Sequence, residues 1–185
     1  PFKFEKYKDF FKPISTEVSS EHYSITEEKI LLGKHLYFDT RLSKNGNNSC
    51  NSCHNLKTFG VDNLSFSPGD LGKNGGRNSP TTFNSSLLFS QFWDGRASDV
   101  EEQAGGPILN PVEMNIPSKE FLLNRLGKIE GYTTLFSKAF PDSDTSLSYW
   151  NIQQAIGAFE RTLTTPSKFD EFLNLSKSTG ILRLL

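Results

Sequence analysis

Apolar residues fall at helical spacing in four stretches of the chain and lose that period between residues 55 and 88. Ser24-Ile25-Thr26-Glu27 has the form of a capping box, in which a hydroxyl and an acid three residues on satisfy backbone N–H groups. It predicts a helix to about residue 37, with Ile30, Leu31 and Leu36 inward. Ser118 caps a second helix with Phe121, Leu122 and Leu126 on one face. Tyr132, Phe136 and Phe140 follow at i, i+4 and i+8 as another stripe. Ser148 opens a further helix in which Ile152, Ala155, Ile156 and Phe159 repeat, and Pro166 ends it. Amphipathic faces exist to be buried, so these stripes read as core rather than as cofactor contacts.

Between these stretches the pattern breaks. Residues 1–23 are polar with scattered phenylalanines and read as an arm packing on the body. Residues 39–49 are rich in turn formers. Residues 55–88 hold Gly60, Gly69, Gly72, Gly75, Gly76, Pro68 and Pro80. A structureless segment of that length in a compact domain is usually functional or disordered. Lys73-Asn74-Gly75-Gly76 lacks the spacing of a phosphate-binding loop. With no strand-rich region and no internal repeat, the expected fold class is all-α.

Composition narrows the function classes. A length of 185 residues suffices for one domain with a real core and is too short for two large ones. A net charge of −1 argues against a surface for nucleic acid or another polyanion. The 16 phenylalanines suit packing against a flat macrocycle, although such rings fill ordinary cores as often. No apolar run approaches the ~20 residues that cross a bilayer.

The chemistry concentrates in Cys50-Asn51-Ser52-Cys53-His54, which holds both cysteines. A C-x-x-C-H run marks covalent attachment of a c-type haem. Two thiols add across the porphyrin vinyl groups, and the histidine binds iron from one face. Two other chemistries use such thiols. A redox disulfide needs a thioredoxin-like βαβ pattern, which is missing here. Zinc needs two more ligands, for which His22 and His35 are the strong candidates left. Haem attachment of this kind takes place on exported chains with reduced thiols. The expected location is therefore the bacterial periplasm, with a signal peptide removed ahead of Pro1. The fold expectation becomes a cytochrome c-like helical domain with long loops around the haem.

Further motifs lie on either side. Phe92-Trp93-Asp94-Gly95-Arg96, Gln103-Ala104-Gly105-Gly106-Pro107 and Glu113-Met114 follow the haem run in order. Leu32-Gly33-Lys34, Tyr37-Phe38-Asp39 and Arg41-Leu42-Ser43 precede it. Arg77-Asn78-Ser79-Pro80-Thr81 and Ala158-Phe159-Glu160-Arg161-Thr162-Leu163 complete the set. Carried by these motifs, residues 31–172 resemble the bacterial di-haem cytochrome c peroxidase family, which includes a methylamine-utilisation relative. The resemblance implies reduction of hydrogen peroxide to water at an N-terminal peroxidatic haem. A second haem in a C-terminal domain feeds it electrons from a small donor cytochrome or cupredoxin. It also implies His54 as the proximal iron ligand, Gln103 and Glu113 as the distal pair, and Trp93 as the aromatic between the two haems.

Elementary chemistry supports Glu113 independently. Heterolysis of an O–O bond needs a proton moved from the inner oxygen to the outer one, which a carboxylate above the iron can take and return. An apolar pocket would raise its pKa and keep it exchangeable near neutrality. Gln103 can hold peroxide by hydrogen bonds without adding charge. By composition alone, Glu113 would be a solvated surface acid and Trp93 a core residue. Arg96 can pair with a haem propionate or staple its own loop through Asp94. Met114 can ligate iron, as thioethers do in electron-transfer cytochromes. His22 and His35 carry no expected role.

Two departures from the family stand out. Its resting peroxidatic haem often carries a distal histidine on the glycine-rich loop. With Arg77-Asn78-Ser79-Pro80 as register, that position is Asp70, sixteen residues beyond His54. The distal side of the iron is therefore expected to be open. The chain also has one C-x-x-C-H run where the resemblance implies two. The expected organisation is an arm over 1–23, a single c-type haem domain over 24–175 and a tail over 176–185, with the second haem domain absent. The second electron for peroxide would then come from the porphyrin, from Trp93 or a tyrosine as a radical, or from another subunit. An exposed Trp93 face would suit a homodimer or a separate second-haem protein. Three functions stay open: a peroxidase, a mono-haem electron-transfer cytochrome and a haem-based sensor of a small ligand.

Overall fold

Capping residues decide where the helices start. The computed structural model describes residues 10–15 and 19–179, with side chains described to residue 174. α1 (Glu27–Phe38) begins at Thr26, whose hydroxyl accepts from the Lys29 N–H at 3.2 Å. The cap is thus Thr26, two residues beyond the expected Ser24. Its buried face is Leu32, Gly33, Leu36 and Tyr37. Leu31, expected inward, is 49% exposed, because the next residue along a helix is turned by about 100°. α2 (Cys50–Cys53) is a single turn opened by a Ser49–Ser52 capping box.

α3 (Val100–Leu109) starts at Asp99, which accepts from the Glu102 N–H at 2.8 Å. α4 (Lys119–Leu126) starts at Ser118, which accepts from Phe121 at 3.2 Å. Leu122 and Leu126 are buried as expected, but the Phe121 ring points outward and carries the Arg125 guanidinium 4.7 Å from its centroid. α5 (Tyr132–Ala139) buries Tyr132 and Phe136, and Phe140 follows as its buried cap. α6 (Tyr149–Glu160) starts at Ser148 and stops at Glu160, well before Pro166. Its end is set locally: the Thr162 hydroxyl donates to the Phe159 carbonyl at 2.6 Å and takes over an acceptor that helix continuation would use. α7 (Lys168–Thr179) runs through the expected boundary at 175.

The core is a helix seam. α1 lies backbone to backbone on α6, so close that a Cβ at Gly33 would come within 1.7 Å of the Ala155 carbonyl oxygen. Leu32, Leu36, Tyr37, Ile152, Ile156 and Phe136 are fully buried around it. Each contributes on the order of 1.5–3 kcal/mol by leaving water. α3 crosses α6 where Gly157 makes room for the Glu101 side chain. Glu101 is fully buried and accepts from Arg161 Nε and Nη2 at 2.7 and 2.8 Å.

No strand forms among the described residues, in line with the all-α expectation. The long loops are pinned by the isolated bridges Pro68–Asn74 and Gln91–Ala97 and by short 3-10 turns at Leu56–Thr58 and Ser85–Leu87. The N-terminal arm touches α7 through residues 10–15 and the α3 and α6 region through Ser19 and Tyr23. The Ile14 N–H donates to Asp170 Oδ1 at 2.7 Å, and Phe11 meets Phe169 edge-on at 5.6 Å.

Candidate functional site

A cavity of about 430 Å³ opens between α2, α3, the end of α6 and the loops over 67–96. That volume lies in the range of small-molecule and cofactor sites. Cys50 and Cys53 border it from one helical turn, where a spacing of three puts both side chains on one face. Both thiols are free. Burial, above all, pushes both upward from the ordinary thiol range. No cluster of three or more metal-ligating side chains forms among the described residues. His22 packs edge-on against Tyr23, and His35 lies in a shallow groove with Asp39, Arg41 and Tyr132. Neither borders the cavity.

His54 caps α2 and faces the same cavity. Its Nδ1 lies 2.9 Å from the Pro80 carbonyl oxygen. A carbonyl only accepts, so Nδ1 carries the proton and the Nε2 lone pair is left for a metal. Burial lowers the pKa of the ring and favours this neutral form. The main chain here is tied to the core: the Tyr37 hydroxyl donates to the His54 carbonyl at 2.7 Å and contacts Thr82 Oγ1 at 3.2 Å.

Gln103 borders the cavity from α3, and Glu113 from the turn that follows. Backbone bonds hold that turn: Glu113 N–H to Asn110 O at 3.1 Å, Met114 N–H to Pro107 O at 3.1 Å and Asp70 N–H to Glu113 O at 2.7 Å. Glu113 is half-buried, and burial raises its pKa while Arg96 opposes the rise. The expectation of a solvated acid from composition alone does not describe it. Met114 is buried in the core cluster and also touches the cavity. Asp70 does not border the cavity. It is 4% exposed and turned away, with both carboxylate oxygens accepting from the Asn45 N–H at 3.1 Å.

Trp93 lies on the cavity lip and is 63% exposed, so it is not a core residue. Its Nε1–H donates to the Asn78 carbonyl at 2.8 Å. Arg96 donates to Asp94 at 2.8 Å, which realises the loop staple, and its guanidinium stacks on Phe92 with 3.4 Å to the ring centroid. Arg77 takes the other Asp94 oxygen at 2.8 Å. The two arginines hold the Asp94 carboxyl down to about 2. The trio keeps one surplus positive charge at the cavity, so the staple leaves pairing with a propionate possible.

Sequence reasoning gave no role to Pro80, Tyr37, Arg77 or Glu160. Glu160 borders the cavity from the last turn of α6.

A family model described as di-haem cytochrome c peroxidase matches residues 27–178, and the chain belongs to that family. Membership implies haem c as the cofactor, and the free thiols, the tied-back His54 ring and the cavity fit that group. Cytochrome c551 peroxidase of Pseudomonas aeruginosa is 47% identical over 165 residues, covering 88% of this chain and 47% of that protein. Cytochrome c551 peroxidase of Nitrosomonas europaea is 47% identical over 148 residues, covering 80% and 43%. The crystal structure of a MauG-like protein associated with microbial copper homeostasis superposes with a TM-score of 0.79 at 30% identity, over 91% of this chain and 50% of that one. The chain spans about half the length of these relatives. No helix among the described residues is long and apolar enough to cross a membrane.

Proposed function

We propose that this chain is the peroxide-reacting part of a cytochrome c peroxidase, with one haem c joined to Cys50 and Cys53 and ligated by His54. The overall change is hydrogen peroxide plus two electrons and two protons to two waters. When bound, the haem supplies an iron that holds peroxide and passes it electrons. The chain's own residues handle position and protons. Gln103 orients the peroxide by hydrogen bonding. Glu113 takes the proton from the inner oxygen and returns it to the outer one, so that oxygen leaves as water. Arg96, with Arg77, pairs with haem propionates. His54 is the only histidine bordering the cavity among the described residues, which leaves the distal side to peroxide.

Electrons reach the site from a small donor cytochrome or cupredoxin in the periplasm, through the lip that holds Trp93. Phe89, four residues before Trp93 and 98% exposed, is a second uncovered apolar side chain of the kind that suits docking that donor, a second copy or a second-haem unit. The observation that carries the reading is Glu113: a half-buried carboxyl with a raised pKa and no hydrogen-bond partner among the described residues, in the cavity that His54 faces.

The test mixes the haem-loaded protein with hydrogen peroxide in a stopped-flow instrument and follows the Soret band. Wild type is expected to react rapidly, and Glu113→Ala slowly with the same resting spectrum. An unreactive wild type, or an unchanged rate in Glu113→Ala, overturns the reading. A low-spin resting iron ligated by Met114 would point to electron transfer instead.

A further inference from the structure

The last turn of α6 carries a carboxyl group that the reading above leaves without a task. Glu160 is 4% exposed and borders the cavity. Its neighbour Glu101, from α3, is fully partnered by Arg161 at both oxygens. No hydrogen bond or ion pair reaches the Glu160 carboxyl group among the described residues.

The groups around it come from every packed element. Glu101 on α3 opposes its ionisation and Arg161, the residue that caps the end of α6, favours it. Tyr37 on α1 and Cys50 on α2 both feel its charge. The turn Ser85–Leu87 brings no titratable side chain. Cys50 and Glu160 line the same cavity, so a haem joined to Cys50 as proposed would share that cavity with the Glu160 carboxyl. Burial, then Glu101, pushes its carboxyl up to about 8, against the pull of Arg161.

Glu160 is therefore neither half of an ion pair nor a solvated acid. An isolated buried carboxylate is costly and ionises readily only when positive charge is nearby. The iron varies that charge: the ferric haem carries one more positive charge than the ferrous haem. We propose that Glu160 is a redox-linked proton site, taking a proton from solvent when the iron gains an electron and releasing it when the iron is oxidised. Ferric iron and carboxylate, plus one electron from the donor and one proton from water, give ferrous iron and carboxylic acid. No bond to the iron changes. The inference rests on the haem placement proposed above and not on the peroxide chemistry.

Electron and proton affinities are linked reciprocally. Proton uptake on reduction makes the midpoint potential fall as pH rises. A tenfold difference in proton affinity between the two oxidation states spans about 59 mV. The experiment is a spectroelectrochemical titration of the haem-loaded protein at pH values bracketing about 8. Wild type and Glu113→Gln are expected to show the fall, and Glu160→Gln to lose it. A flat wild type, or the same slope in Glu160→Gln, overturns the proposal.

If Glu160→Gln fails to fold, the wild type still decides. Its infrared difference spectrum on reduction should gain a protonated-carboxyl band that shifts in heavy water and persists in Glu113→Gln. Absence of that band overturns the proposal. A haemochrome assay separates the two levels. Protein that never attaches haem defeats the placement, whereas loaded protein with a pH-independent potential defeats only the role of Glu160.

Discussion

The α1–α6 seam and the loops over 55–98 border one cavity but are held by different physics. The seam is backbone against backbone at Gly33 and Ala155, surrounded by fully buried side chains. The loops hang on single bonds: the Gln91–Ala97 bridge, the Trp93 indole on Asn78, and Asp94 between Arg77 and Arg96. Most of these groups are exposed, and exposed ion pairs contribute about 0–1 kcal/mol. The seam therefore fixes where Tyr37 and Glu160 sit. The lip can adjust to what it meets. Precision in this site comes from the core, and adaptability from the rim.

The largest effect belongs where the two regions join. Glu113→Gln should slow the reaction with peroxide about 10²–10⁴-fold at unchanged haem content. Glu113 must be ionised to act as a base, and burial raises its pKa above the ordinary 4.5. The wild-type rate should therefore fall as pH drops through a point above that value, and the variant should lose the inflection. Next comes the seam. Arg161→Leu leaves Glu101 buried and unpaired, which should cost about 3–5 kcal/mol in urea unfolding. Gly33→Ala forces α1 away from α6 and should cost about 1–3 kcal/mol by the same assay.

Glu160 yields a pH effect of known sign. Its carboxyl titrates near 4.5 when unfolded and about 8 when folded. The folded state thus holds the extra proton between those values, and stability falls with rising pH across that window. The slope is at most about 1.4 kcal/mol per pH unit. Thermal unfolding of Glu160→Gln across the window should be flatter than wild type. Arg96→Ala should be smallest, within about 1 kcal/mol of wild type, because its partner is on the surface. A cost for Arg96→Ala equal to that of Gly33→Ala would break the contrast between seam and lip.

What was legible in the sequence follows the same division. Ser118 and Ser148 leave local marks because a capping hydroxyl acts within three residues, whereas Ser24, with its acid three residues on, masked the true cap at Thr26. Apolar periods then locate the buried faces of α5 and α6. α3 left no such mark. Gly105, Gly106 and Pro107 are poor helix formers, yet they lie inside α3, and Gln153 of α6 lies where a Cβ of Gly105 would go. The attachment run was readable because its chemistry is contiguous. The partner of His54 was not, since any residue can offer a backbone carbonyl as Pro80 does. Trp93 depends on tertiary exposure, which no local pattern encodes. Glu160 sits at a helix end, where an acid ordinarily faces water.

Tyr37 has a consequence for how the site is made. Its ring is part of the hydrophobic core and its hydroxyl holds the main chain of His54. Closing the helix seam and placing the main chain of the proposed iron ligand are therefore coupled through one side chain. A core substitution far from the cavity that tilts Tyr37 will be felt at the main chain of His54, and so at the ligand proposed above.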